Sequence, residues 1–113
     1  MIRVLVDYDN MTLDMTGHAE AERNTEGHDL VCCAASTLVF TLAYSCRRRC
    51  RVEKRFDKGD AHIRLEPEEG RGLEALYKLD AVVDGLRMLQ EKYPACISVG
   101  YITDLHREPD GVQ

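Results

Sequence analysis

A chain of 113 residues, 44% hydrophobic and 31% charged with a formal net charge of -5, is long enough to bury one core and too apolar for an intrinsically disordered segment. No apolar run reaches the roughly 18 residues of a membrane-spanning helix, and the first one, Ile2 to Val6, is too short and too soon followed by Asp7 to be a secretory core. A cytoplasmic protein is expected, whose 5 cysteines are thiols rather than a disulfide framework.

Ile2, Val4, Val6 and Tyr8 alternate with Arg3, Leu5 and Asp7, the two-residue period of a half-buried strand. Asp9-Asn10 supplies a turn, and Met11, Leu13 and Met15 repeat the period, so the two runs read as a hairpin. Its far end delivers Gly17-His18-Ala19. Residues 19 to 28 carry Glu20, Glu22, Asn24, Glu26 and Gly27 without an apolar period, which predicts a surface loop of functional length. Asp29 is placed to cap the helix that follows. From Leu30 to Tyr44 that helix is small or apolar almost all round, and such a helix must be covered on every side by sheet, a second helix or a partner subunit.

Ser45 to Arg49 closes the helix in a basic run suited to the negative end of its macrodipole. Cys50 to Phe56 and Ala61 to Leu65 read as strands joined at Lys58-Gly59-Asp60. Beyond the break at Pro67 to Gly70, residues Arg71 to Tyr93 fit a long amphipathic helix through Leu73, Leu76, Tyr77, Leu79, Val82, Val83 and Leu86, stopped by Pro94. Ile97, Val99 and Tyr101 alternate as a last strand, and the polar tail is expected to fray. The order ββαββαβ predicts an α+β fold, two helices packed on a mainly antiparallel sheet of about five strands. Residues 1–103 form a single domain on this reading, and 104–113 a polar C-terminal tail.

The chemistry concentrates between Gly17 and Ser36. Cys32 falls in the first turn of the predicted helix, where unsatisfied amides and the dipole lower a thiol pKa from its free value of about 8.5. Cys33 lies about 100° further round and faces elsewhere, whereas Ser36, one turn after Cys32, shares its face. A cysteine nucleophile needs a base within about 3 Å and donors for the oxyanion it creates. His18 at a strand end is placed to meet Cys32 across the loop. The competing reading is a surface histidine and a small buried thiol.

His28 and Cys32, four apart, are able to face a metal with Cys33, Cys46 or Cys50. The spacing Cys46-Arg-Arg-Arg-Cys50 is not a zinc knuckle, and its arginines disfavour a divalent cation. No metal or cofactor is expected. Arg47, Arg48, Arg49, Arg51 and Arg55 read as a solvated face rather than a nucleic-acid patch, since Phe56 alone among them offers a stacking aromatic. Direct nucleic-acid or membrane binding is not expected.

Gly17-His18-Ala19 and Asp29-Leu30-Val31-Cys32, followed by Ala34-Ala35-Ser36, resemble the motifs of the ribosomal-processing cysteine protease family, Prp. The resemblance extends over nearly the whole chain. It implies a catalytic dyad of His18 and Cys32 supported by Asp29 and Ser36. It further implies a small cytosolic homodimer, which would cover the apolar helix, and removal of the N-terminal extension of ribosomal protein L-twenty-seven by cleavage after phenylalanine. The chain departs from the family pattern in a loop about two residues longer, in Glu20 where glycine is common and in Cys33 where alanine is usual. The expected function is therefore a cysteine endopeptidase acting on a ribosomal protein precursor. A catalytically silent peptide- or ribosome-binding module of the same fold is the alternative, and a redox or metal sensor built on Cys32, Cys33, Cys46 and Cys50 a third.

Overall fold

A computed structural model describes residues 1–17, 28–57 and 60–102. The elements follow in the order β1 (Ile2–Asp7), β2 (Thr12–Thr16), α1 (His28–Cys46), β3 (Cys50–Asp57), β4 (Asp60–Pro67), α2 (Gly72–Lys92) and β5 (Ile97–Tyr101), the predicted ββαββαβ. They form a five-stranded sheet in the order β3-β4-β2-β1-β5. The β1–β2, β2–β4 and β3–β4 pairings are antiparallel, and β5 alone runs parallel to its neighbour, β1. The long α2 crossover makes that last pairing possible, because a parallel neighbour needs a connection that traverses the sheet.

The strand period decides which side carries the helices. Ile2, Val4, Val6, Leu13, Met15, Ala61, Ile63 and Leu65 are buried on one face, while Arg3, Leu5, Thr16, Arg64 and Glu66 on the other are exposed. Both helices lie on the apolar face. From α1 come Val31, Ala35, Val39, Leu42, Ala43 and Cys46, and from α2 come Ala75, Leu79, Val82, Val83 and Leu86, all buried in one core with the strands. The helices approach closely at Gly85, where an added Cβ would stand 3.0 Å from a Leu38 methyl. That contact explains a glycine inside α2 despite its helix penalty of roughly 1 kcal/mol.

The β1–β2 turn is built by the buried Asp7. Its Oδ1 accepts the N–H groups of Asp9 and Asn10 at 3.0 and 3.1 Å, and its Oδ2 accepts the Asn10 amide at 2.8 Å. Three donors from the following residues satisfy a carboxylate whose burial would otherwise be costly. Tyr8 then reaches α2, donating to Asp80 at 2.7 Å, and stacks on Tyr101 of β5. Burial, followed by the hydrogen bond to Asp80, pushes its phenol pKa upward.

Two expectations change in detail. The helix opens at His28, so Asp29 lies inside its first turn rather than at the cap position, and Cys32 is the fifth helical residue. In α2, Leu73 and Tyr77 are 64% and 65% exposed, and the inward stripe keeps the expected Leu79, Val82, Val83 and Leu86 and adds Ala75. The predicted loop over 19–28 and the tail from 104 lie outside the described residues, apart from His28, which opens α1.

Candidate active site

Strand β2 ends at Thr16, opposite Arg3 of β1, and the chain turns at Gly17 with φ +86°. Two features demand glycine there. Positive φ of this kind is strained for a side-chain-bearing residue, and an added Cβ would stand 2.5 Å from the Met1 carbonyl oxygen. The Gly17 N–H is held from the other side by Asp60 Oδ1 at 3.3 Å. The residue before His18 is thereby fixed against β1 and β4 together. His18 itself lies outside the described residues.

Cys32 approaches from the helix layer. It is half-buried and packs against the core, whereas the adjacent Cys33 is exposed, as the rotation between successive helical residues requires. Ser36 is also half-buried, one turn beyond Cys32 on the same side. Asp29 contributes its backbone to the first turn of α1, and its side chain, like that of His28, lies outside what is described.

The direction of α1 brings these pieces to one end of the sheet. Cys46 ends the helix and Cys50 starts β3 after three residues. Cys50 pairs with Pro67 at the far end of β4, whereas Phe56 pairs with Ala61 near its start. Phe40 packs edge-on against Phe56, with ring centroids 4.8 Å apart. The helix therefore runs back from the Pro67 end toward the Asp60 end, and its first turns, with Cys32, point to the end where Asp60 tethers Gly17.

A second histidine is excluded as the partner of Cys32 by sheet geometry. His62 of β4 stands opposite Asp14 of β2, and its Nδ1 lies 2.5 Å from Asp14 Oδ1. Both residues neighbour inward-facing ones, Leu13, Met15, Ala61 and Ile63, so they project from the face opposite the helices. Cys32 lies on the helix side, with the sheet between. Neither the Asp14–His62 pair nor the Asp60 tether was foreseen from composition. The pairing register alone would have revealed the former, and the latter depends on two turns that meet only in the fold.

The remaining sequence candidates separate from this end. Cys46 and Cys50 are buried at the opposite end of α1. Among the described residues no group of three or more histidine, cysteine or acidic side chains is placed to hold a metal ion. The arginines are mostly solvated: Arg47, Arg48 and Arg49 are exposed, and Arg51 pairs loosely with Glu66 at 3.9 Å across the strands.

The sheet and α2 cover only the inward side of α1. Leu30, Cys33, Thr37, Phe40, Thr41 and Tyr44 form one exposed stripe along it. Beside it, Phe40, Ala43, Tyr44 and Phe56 with the rims Arg47 and Lys54 line a groove of about 600 Å³. The Arg47 guanidinium lies 3.7 Å from the Tyr44 ring centroid. Among the described residues no helix is long and apolar enough to cross a membrane.

The family described as "Cysteine protease Prp" matches residues 1–98. Among solved structures, the ribosomal processing protease Prp from S. aureus, in complex with a covalently linked product peptide, is 26% identical and aligns with a TM-score of 0.74 over 90% of this chain and 100% of that one. The same enzyme with a substrate peptide aligns at 23% identity and a TM-score of 0.74, over 90% of this chain and 100% of that one. SMU.848 from Streptococcus mutans aligns at 21% identity and a TM-score of 0.71, over 91% of this chain and 93% of that one. The two under one-quarter identity speak for the fold alone. No functionally curated protein matches the chain. The match from β1 to the start of β5, on a fold that directs a thiol-bearing helix start toward the glycine preceding His18, shows that this chain belongs to the Prp family of cysteine proteases.

Proposed function

We propose that the chain is a cytoplasmic endopeptidase that removes the N-terminal extension of ribosomal protein L-twenty-seven, cutting after phenylalanine, through a dyad of Cys32 and His18. The carrying observation is the placement of half-buried Cys32 in the opening turns of α1, directed to the sheet end at which Gly17 is tethered. His18 accepts the thiol proton, and the Cys32 sulfur attacks the peptide carbonyl. The positive end of the α1 dipole favours both the thiolate and the oxyanion that forms. His18 then protonates the leaving amine. Water hydrolyses the thioester and returns the thiol. Asp29 and Ser36 act as supporting residues: Asp29 in the first turn of α1, and Ser36 with a hydroxyl on the Cys32 side of the helix. The product covalently linked to the S. aureus protein is consistent with such an intermediate.

The exposed apolar stripe of α1 and the Phe40–Phe56 groove support a homodimer in which a second copy covers them. Burying such aromatic surface stabilises association by about 25 cal/mol per Å² before the costs of docking. Incubation of the purified protein with a leader-bearing ribosomal precursor, followed by mass determination, tests the function. One shortened protein and one leader ending in phenylalanine are expected. An intact precursor that co-elutes with the protein would instead establish the silent binding module.

A further inference from the structure

The two edges of the sheet are treated differently. At β5 the Val99 N–H donates to Gln90 Oε1 of α2 at 2.6 Å, and the Ile97 N–H to the Tyr93 carbonyl at 3.3 Å. The opposite edge is β3, six of whose eight residues are exposed. Its backbone direction follows from β4. The Leu65 N–H donates to Met11 on the β2 side at 2.9 Å, and the Glu68 N–H to Arg49 on the β3 side at 3.0 Å. Successive strand residues point their backbone groups to opposite sides, so the even-numbered residues of β4 face β3, and their partners Arg51, Glu53, Arg55 and Asp57 face back. Val52, Lys54 and Phe56 then direct N–H and C=O to an edge that no strand occupies among the described residues. Such an edge is a template for a further strand.

We propose that β3 pairs antiparallel with β3 of a second copy, about a two-fold axis at Lys54, so that the two sheets become one. The inference rests on the homodimer reading and names the surface that forms it. Charge decides the register. With the axis at Lys54, Glu53 stands opposite Arg55 of the second copy and Arg51 opposite Asp57, and the two-fold repeats both pairs. Moving the axis to Glu53 sets that residue against itself and Arg51 against Arg55. Moving it to Arg55 sets that residue against itself and Glu53 against Asp57. Charges on an edge strand ordinarily discourage pairing, whereas this order of signs suits one self-pairing. Val52, Lys54 and Phe56 supply the backbone bonds, and Val52 meets Phe56 on the helix face. Lys54 meets its own copy, a like-charged pair whose long stems carry the ammonium groups off the axis. The groove of Phe40, Tyr44 and Phe56 lies between α1 and this edge, so the joined sheet sets the two α1 helices on one face, with their apolar flanks toward the axis.

Sedimentation velocity over a concentration series, with circular dichroism to check folding, tests this on wild type, Glu53→Arg, Arg55→Glu and an equimolar mixture of the two variants. Each variant alone sets like charges opposite at two positions and should associate at least about tenfold more weakly. In the mixture every altered residue meets an opposite charge on the other chain, so association should return to near the wild-type level. Lys54→Pro is a second variant that does not depend on charge. Its missing N–H faces the free edge, a place where a strand tolerates proline, and it should fold and remain monomeric. Wild-type association in either charge variant or in Lys54→Pro would overturn the edge pairing while leaving the homodimer on another surface. Weakened variants whose mixture does not recover would overturn the register. A wild-type protein that stays monomeric throughout would overturn the homodimer reading and the pairing together.

Discussion

Gly17 donates its backbone N–H to Asp60 Oδ1 at 3.3 Å, which ties the residue before His18 to the first residue of β4. With φ at +86° and a prospective Cβ 2.5 Å from the Met1 oxygen, Gly17→Ala meets both backbone strain and a clash with main chain. A loss of about 1–3 kcal/mol of stability is expected, together with a fall in cleavage rate of at least about tenfold as His18 is displaced. Urea unfolding and a peptide-cleavage assay measure the two effects. Wild-type values in both would show that the turn does not position the histidine.

Stability should decline at alkaline pH, and the sign follows from the raised pKa values. Cys50 holds its proton up to about 11 in the folded chain, against an ordinary 9.0. Between those values the folded state binds more protons than the unfolded one, so the contribution is complete below about pH 9 and is lost as pH rises through 11. Cys46, raised by burial, acts in the same sense, and so does Tyr8 above its ordinary 10.0. Urea midpoints at about pH 8 and about pH 10.5 should show a fall in wild type and a smaller fall in Cys50→Ala. Equal falls in the two proteins would remove Cys50 from the account.

The dimer proposed on the outer stripe of α1 makes a separate prediction. Phe40 is 49% and Tyr44 66% exposed in the single chain, and neither belongs to the core. Phe40→Asp should leave the unfolding midpoint of the monomer within about 0.5 kcal/mol of wild type while weakening association by at least about tenfold. Sedimentation velocity across a concentration series reads this directly. Wild-type association in the variant would place the partner on another surface.

Much of this architecture was legible in the residues because strand and helix periods report burial locally. The alternation of Ile2, Val4 and Val6 and the stripe of Leu79, Val82, Val83 and Leu86 face the core as expected. Features that depend on elements meeting were less visible. The parallel register of β5 on β1, the Asp14–His62 pair and the Asp60 tether each need the topology first. The two α1 faces also separate only in the fold: periodicity cannot distinguish the buried Val39 from the exposed Phe40 when the helix is apolar all round. Within the candidate site, the burial of Cys32 against the exposure of Cys33 followed from helical rotation, while the approach of α1 to the Gly17 end rested on the Phe40–Phe56 contact.

Cleavage of a leader-bearing ribosomal precursor by Cys32→Ala and by Cys33→Ser, side by side, tests the central claim most directly. Removing the nucleophile should lower the rate by at least about 10³-fold, with the variant still folded. Cys33→Ser, altered at an exposed position, should retain most of the wild-type rate. Full activity in Cys32→Ala, or its loss in Cys33→Ser alone, would contradict the assignment of Cys32 as the attacking thiol.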